Sequence, residues 1–253
     1  MNNPVIFIGA GPGDPELITV KGQRALQQAD LVVYAGSLVP EALLVWAKEA
    51  EALNSASLHL DEIIAVMAAG VNNGKKVVRL HTGDPSLYGA IYEQMAELDK
   101  QGIPYMVIPG VTAAFAAAAA MKLEYTLPEI TQTLILTRMS GRTKVPESES
   151  LKKLASHRAS MAVYLSIGQV REVQDILAAN YGDDFLCALA VKVAHPEERI
   201  IIVPVRELAD TVAREGIRSQ ALIVVSPSLN TSKDDIRYKS KLYDKDFKHE
   251  YRA

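Results

Sequence analysis

The sequence predicts an α/β protein of two lobes, the first built on a largely parallel sheet and the second on a mixed one. Three observations carry this expectation. Short apolar runs alternate with stretches of helical periodicity from residue 5 to residue 225. In the first half, several of the apolar runs end in turns rich in glycine or proline. A stretch at 124–131 that reads as a linker then breaks the alternation, and its Pro128 interrupts either kind of regular element.

In the first lobe, residues 1–125, Val5-Ile-Phe-Ile8 is wholly apolar and reads as a buried strand. A helix follows from about Thr19 to Ala29, with Thr19 as N-cap and Val20, Ala25, Leu26 and Ala29 as its apolar residues. Leu31-Val-Val-Tyr34 is the next strand, and Pro40 suits the first turn of a helix running to Ala47. Asp61 is expected to cap a helix to Val71, whose Ile64, Met67, Ala68 and Val71 share one stripe and which Asn72-Asn-Gly74 ends. Lys76 to Leu80 is a strand, Leu87 to Lys100 a helix stopped at Gly102, Tyr105 to Ile108 a strand, and Val111 to Met121 an alanine-rich helix.

The second lobe, residues 126–229, opens with a strand at Thr133–Thr137 and a Gly-, Ser-, Thr- and base-rich segment at 138–146. Helices are expected at 148–156, 170–179 and 206–214, with strands at 161–166 and 221–225. Strands at 188–193 and 200–203, joined through His195-Pro-Glu-Glu198, suggest a hairpin and hence a mixed sheet. The tail, residues 230–253, mixes both charges, lacks an apolar period and reads as poorly ordered or as an arm that orders on a partner.

Composition weighs against several function classes without excluding a local basic patch. A net charge of −3 gives no overall positive field to draw in nucleic acid. The one cysteine, Cys187, excludes an intrachain disulfide and lies in an apolar run, as a small buried residue would. The N-terminus lacks the basic region of a signal peptide, and the most apolar stretch, 111–121, falls short of the ~20 residues that span a bilayer. A cytoplasmic protein, off the membrane, is the expectation.

Three loops carry the chemistry. Gly9-Ala-Gly-Pro-Gly-Asp14 tempts a dinucleotide reading, but its third glycine falls one place early, Pro12 and Pro15 remove amide donors, and helix onset is delayed to Thr19. The second strand ends in Tyr34-Ala-Gly36, without the acid that would hold a ribose. The loop instead suits close approach of a small molecule to bare backbone. Thr82-Gly-Asp-Pro-Ser-Leu-Tyr-Gly89 and Pro109-Gly-Val-Thr-Ala113 close two further strands on the same expected sheet edge, where α/β folds place ligands. Asp84 is either an acceptor for a ligand or an N-cap, and Thr112 carries the same two readings.

Together these three loops, in this order and spacing, resemble the tetrapyrrole (corrin/porphyrin) methylases over nearly the whole chain. Asp14-Pro-Glu-Leu-Ile-Thr-Val-Lys-Gly22, Tyr34-Ala-Gly-Ser-Leu38, His81-Thr-Gly-Asp84, Thr131-Gln-Thr133 and Thr137-Arg-Met-Ser-Gly-Arg-Thr-Lys-Val-Pro-Glu147 are similar to its precorrin-4 carbon-11 methyltransferase branch, as is the tail at Lys241–Asp244 and His249–Arg252. The resemblance implies two α/β lobes with S-adenosylmethionine (SAM) folded into the cleft between them, S-adenosylhomocysteine as product, a homodimer, a tetrapyrrole substrate and no protein-bound metal. It implies SAM contacts at Pro12, Gly83, Asp84, Leu87, Thr112 and Ala113, and at Leu165, Ala194, Ala221 and Leu222 in the second lobe. Leu165 stands where related methylases have Met and keeps an apolar wall; some relatives have Gly at Ala194. A methylase of the same fold with another acceptor, such as another precorrin carbon, uroporphyrinogen, diphthine or ribosomal RNA, and a non-catalytic SAM or tetrapyrrole binder are the alternatives.

A substrate of many carboxylates needs local cations despite the net charge. Arg138, Arg142 and Lys144, on one loop, are the expected substrate contacts, because arginine's fork matches a carboxylate. Arg79, mid-strand, could be a buried ion-pair partner. No catalytic base is assigned; His81, Asp84 and Tyr88 are the candidates. His81 and His195 lack metal-ligand spacing with another His or Cys, and His195 reads as part of a turn.

Overall fold

In the computed structural model, residues 3–36, 39, 41–232 and 240 are described. The expectations for Ser37, Leu38, Pro40 and nearly all of the tail lie outside the described residues. The chain divides into two compact units: Met1–Ala116 with Ala194–Pro196, and Ala117–Val193 with the residues from Glu197 onward.

The first unit is built on β1 (Val5–Gly9), β2 (Leu31–Tyr34), β3 (Glu51–Asn54), β4 (Val77–His81) and β5 (Tyr105–Ile108). Every pairing is parallel and the order is β3-β2-β4-β1-β5. The central strands are buried on both faces, which is why they read as unbroken apolar runs. Val5, Phe7, Val33 and Val77 pack with Ile63, Ile64 and Met67 of α2 (Leu60–Asn72) and Leu98 of α3 (Ile91–Lys100). Ile8, Val32, Val78 and Leu80 face Leu26 of α1 (Val20–Gln27) and Leu43 of the 3-10 helix Glu41–Trp46.

Adjacent strands β1 and β4 therefore send their outgoing helices to opposite faces. A crevice at their carboxyl ends is the place where such sheets bind ligands. α4 (Ala113–Met121) leaves the carboxyl end of β5.

Sequence expectation and structure differ at several starts. The Thr19 cap forms, its hydroxyl accepting from Gly22 N–H at 3.1 Å. α2, however, begins from His59 rather than Asp61: Glu62 accepts from the His59 N–H at 3.0 Å, and Asp61 sits in the first turn, where an acid favours the helix dipole. α3 begins at Ile91 rather than Leu87, because Tyr88 (φ 56°) and Ala90 (φ 50°) are left-handed. The helix expected at 40–47 is 3-10 in character over Glu41–Trp46. β3 had no sequence signal: it is an edge strand whose residues are mostly exposed.

The second unit orders its strands β6-β7-β10-β8-β9, from β6 (Leu134–Arg138), β7 (Ser160–Tyr164), β8 (Leu186–Val191), β9 (Arg199–Pro204) and β10 (Ala221–Val225). β6 and β7 are parallel and the rest antiparallel, including the β8–β9 hairpin, so the sheet is mixed. One core joins Met161, Leu189 and Ile223 of this sheet to Leu151 of α5 (Leu151–Ala155), Leu177 of α6 (Val170–Tyr181) and Leu208 of α7 (Leu208–Arg214). Cys187 lies within it, and burial pushes its thiol up to about 12. At the start of β8, Asn230 stands in for a strand partner: its amide oxygen accepts from Leu186 N–H at 2.7 Å and its Nδ2 donates to Leu186 O at 3.1 Å. Among the described residues, no helix is long and apolar enough to cross a membrane.

Candidate functional site

In the first unit the three glycine loops converge through their backbones. Ala10 N–H donates to His81 O at 2.7 Å, Gly11 N–H to Gly83 O at 3.2 Å and Gly83 N–H back to Gly11 O at 2.8 Å. This miniature ladder joins the ends of β1 and β4, with Gly11 (φ 81°) and Gly83 (φ 61°) left-handed, a conformation glycine adopts without steric cost. The third loop fits against it with no room for a side chain. A Cβ on Gly9 would stand 2.5 Å from Gly110 N and 2.7 Å from Gly83 O.

Asp84 ties the second loop to the third. One carboxylate oxygen accepts from Gly110 N–H at 2.9 Å; the other accepts from Ser86 N–H at 2.8 Å and from the Ser86 hydroxyl. Partial burial works to raise this carboxyl, but the Ser86 hydroxyl and the N–H groups of Gly110 and Ser86 outweigh it and hold the group below its usual range. Asp84→Ala would strand these donors. It is expected to cost about 1–3 kcal/mol of stability, read by denaturant unfolding. Asp84→Asn, which keeps an acceptor, should fall between the two.

The remaining expected contacts of this unit lie around the same loops. Pro12 is buried, Leu87 is half-buried, and the Thr112 carbonyl accepts from Phe115 and Ala116 at the start of α4, beside Ala113. Ala194–Pro196 groups with this unit, and a Cβ on Gly13 would stand 2.7 Å from His195 Nε2. The three loops hold two acids, Asp14 and Asp84, and no lysine or arginine. Loops with acids and no basic side chain suit a cationic ligand better than a pyrophosphate.

His81 and Arg79 lie under the floor. His81 is 4% exposed and stacks on Phe7 with ring centroids 5.9 Å apart, and its Nε2 has no hydrogen-bond partner among the described residues. Burial and then the nearby Arg79 charge push its pKa down to about 3, so it is neutral at physiological pH. Arg79 has no acidic partner among the described residues, in place of the buried ion pair that the sequence suggested. Its guanidinium donates to Gln94 Oε1 at 3.0 Å, Ser55 Oγ at 2.9 Å and Val33 O at 3.2 Å, and burial lowers it to about 10. Tyr88 is exposed and left-handed in the second loop.

In the second unit, Leu165, Ala221, Leu222 and Arg138 come to one sheet edge. Arg138 pairs with Tyr164 at the end of β6, Leu165 follows β7, and Ala221 opposite Val191 begins β10. Left-handed residues crowd the turns here: Leu165 (φ 52°), Lys192 (φ 46°) and Gln220 (φ 51°). Such backbone costs of order 1–3 kcal/mol per residue and gathers at functional sites. Leu165 is also 70% exposed, an uncovered apolar side chain on a strained residue. Ser166 and Gln169 belong to this edge too, since both bind the 138–145 loop; contacts so distant in sequence leave no local signature. The Asp84–Ser86 bond, by contrast, is local, an Asx turn closed within three residues. Among the described residues, no group of three His, Cys, Asp or Glu is placed to hold a metal ion.

A sequence profile of the Tetrapyrrole (Corrin/Porphyrin) Methylases matches residues 4–209. The chain is a tetrapyrrole methylase. Within this methylase family it is 49% identical over 253 residues to the cobalt-precorrin-4 C(11)-methyltransferase of Methanocaldococcus jannaschii, covering 99% of this chain and 96% of that one. The X-ray structure of a cobalt precorrin-4 methyltransferase, a cobalamin biosynthetic enzyme, superposes with a TM-score of 0.87 at 45% identity, over 90% of this chain and 96% of the other. The uroporphyrin-III C-methyltransferase of Thermus thermophilus, complexed with S-adenosyl homocysteine, gives 0.74 at 26% identity, over 90% and 93%. The two-sheet architecture of this methylase, one sheet parallel and one mixed, is thus the one its sequence predicts.

Proposed function

We propose that this chain transfers a methyl group from SAM to carbon 11 of precorrin-4, in its metal-free or cobalt form, on the route to cobalamin. The observation that carries the reading is the end-to-end identity with a cobalt-precorrin-4 C(11)-methyltransferase. The convergent floor fits the donor: SAM supplies an electrophilic methyl on a cationic sulfonium, and the loops hold two acids and no lysine or arginine to repel it.

The contacts proposed for SAM are Pro12, Gly83, Asp84, Leu87, Thr112, Ala113 and Ala194, together with Leu165, Ala221 and Leu222. Asp84 acts by holding two loops in register. Methyl transfer is an in-line displacement, so the residues' work is to align donor and acceptor and exclude water; alignment alone is worth ~7–11 kcal/mol. The acceptor is an electron-rich pyrrole-derived carbon and needs no base to become a nucleophile. That agrees with His81, too weak a base to hold a proton at neutral pH, and with Asp84, whose oxygens are already engaged. A cytoplasmic homodimer belongs to the same reading and rests on the resemblance.

The test is a calorimetric titration with SAM, then incubation with precorrin-4 and with its cobalt form, read by mass spectrometry and NMR. One added methyl at carbon 11 is expected. SAM binding without methylation of either form overturns the substrate, and absence of SAM binding overturns the whole reading.

A further inference from the structure

We propose that Arg138 is a positioning residue that builds a carboxylate-binding arch, and that Arg142 and Lys144 on that arch are the groups that touch the substrate. This rests on the tetrapyrrole reading above and divides among three residues a role the sequence had assigned to all of them alike.

The geometry of Arg138 separates it from the other two. Its Nη1 donates to Met139 O at 3.1 Å and Thr143 O at 3.0 Å, and its Nη2 lies 3.4 Å from Lys144 O. The guanidinium thus fills the inside of the turn that its own residue opens. Other bonds restrain the same turn. Met139 N–H donates to Ser166 Oγ at 2.8 Å and Gln169 Nε2 to Ser140 O at 2.8 Å, while Gly141 N–H reaches Thr143 O at 3.2 Å and Val145 N–H reaches Ser140 Oγ at 3.3 Å.

A glycine-bearing loop restrained at this many points is preorganised rather than a loose solvated strand. Arg142 and Lys144 are exposed on it, and neither has an ion-pair partner among the described residues. Two like charges two residues apart on one restrained turn favour an anion that can join them. A ligand with several carboxylates is the chemistry that supplies this. The arch also stands beside exposed Leu165, so cations and an apolar side chain share one edge, as a macrocycle ringed with acids requires. Lysine at 138 would keep the charge but lose the planar fork that reaches several carbonyls at once.

The test is a double-mutant cycle on the full chain with precorrin-4 and its cobalt form, using R138K, R142Q/K144Q and the triple variant. R142Q/K144Q is expected to raise KM for the tetrapyrrole about tenfold or more, to remove the rise of KM with ionic strength, and to leave the SAM Kd unchanged. R138K should raise KM as well, yet add less than about twofold on the R142Q/K144Q background, because it acts through those residues. Melting temperature checks that R138K folds; should it not, the salt dependence of R142Q/K144Q decides alone. Multiplying effects of R138K and R142Q/K144Q would put Arg138 on the substrate and overturn the assignment. An unchanged KM in R142Q/K144Q would overturn the arch while leaving the methyl transfer standing. A wild-type chain that methylates neither form would overturn the parent reading itself.

Discussion

Gly110→Ala will disable the donor site and weaken the fold together. A Cβ at this position would overlap the Gly83 carbonyl oxygen and stand 2.7 Å from Gly9 Cα and 2.8 Å from Gly9 C. All three obstacles are main chain, so no side chain can rotate away, and relief requires the loops after β1, β4 and β5 to part. Overpacking costs about 1–3 kcal/mol when neighbours can adjust; rigid obstacles place this substitution at or above the upper end. Parting the loops also breaks the Asp84 to Gly110 bond at 2.9 Å, so SAM affinity should fall by more than about tenfold, or 1.4 kcal/mol. Gly168→Ala is the control: a Cβ there meets nothing within 4 Å, and both stability and SAM affinity should hold. Denaturant unfolding and calorimetry read the pair. Wild-type SAM affinity in Gly110→Ala would mean that the convergence of these loops is not the floor of the donor site.

The second large effect is a loss of stability in acid that traces to His81. Its unfolded value is 6.5 and its folded value is about 3, lowered first by burial and then by the Arg79 charge. Between those values the unfolded chain takes up a proton that the folded chain refuses. Stability therefore falls as pH drops from 6.5 towards 3, by up to about 1.4 kcal/mol per pH unit, and the contribution is fully present above 6.5. His81→Gln removes the titration. Its stability curve between pH 6.5 and 3 should be shallower than the wild type's by close to one proton, measured by urea unfolding at a series of pH values. Parallel curves would show that His81 takes up its proton in the folded state as readily as in the unfolded chain. The same neutrality predicts that kcat/KM has no step near pH 6.5 belonging to this residue.

What was readable in the sequence follows from where each signal sits. The central strands announced themselves because both faces are buried, leaving no polar alternation to blur Val5–Ile8 or Leu31–Tyr34. β3 was silent for the opposite reason: Glu51 and its neighbours lie on an exposed edge and pair only with β2. The late start of α3 depends on left-handed Tyr88 and Ala90, residue types that carry no such preference and are held there by their surroundings. In the site, the glycines were visible because a missing side chain is itself a local mark. The work of Arg138 was not, since its type and position suit a substrate contact as well as an internal brace, and only the carbonyls around it distinguish the two.

The proposed donor floor is made of main chain, and this has a consequence for how this chain can diversify. Where Gly9, Gly83 and Gly110 meet, no residue is smaller than the one present, so a bulkier neighbour cannot be offset by trimming another. The donor end is closed to stepwise redesign. The proposed acceptor end is written in the exposed side chains of Arg142 and Lys144, each replaceable without disturbing the backbone beneath. Directed evolution that starts from this chain should therefore yield new acceptors for the methyl group long before it yields a new source of it.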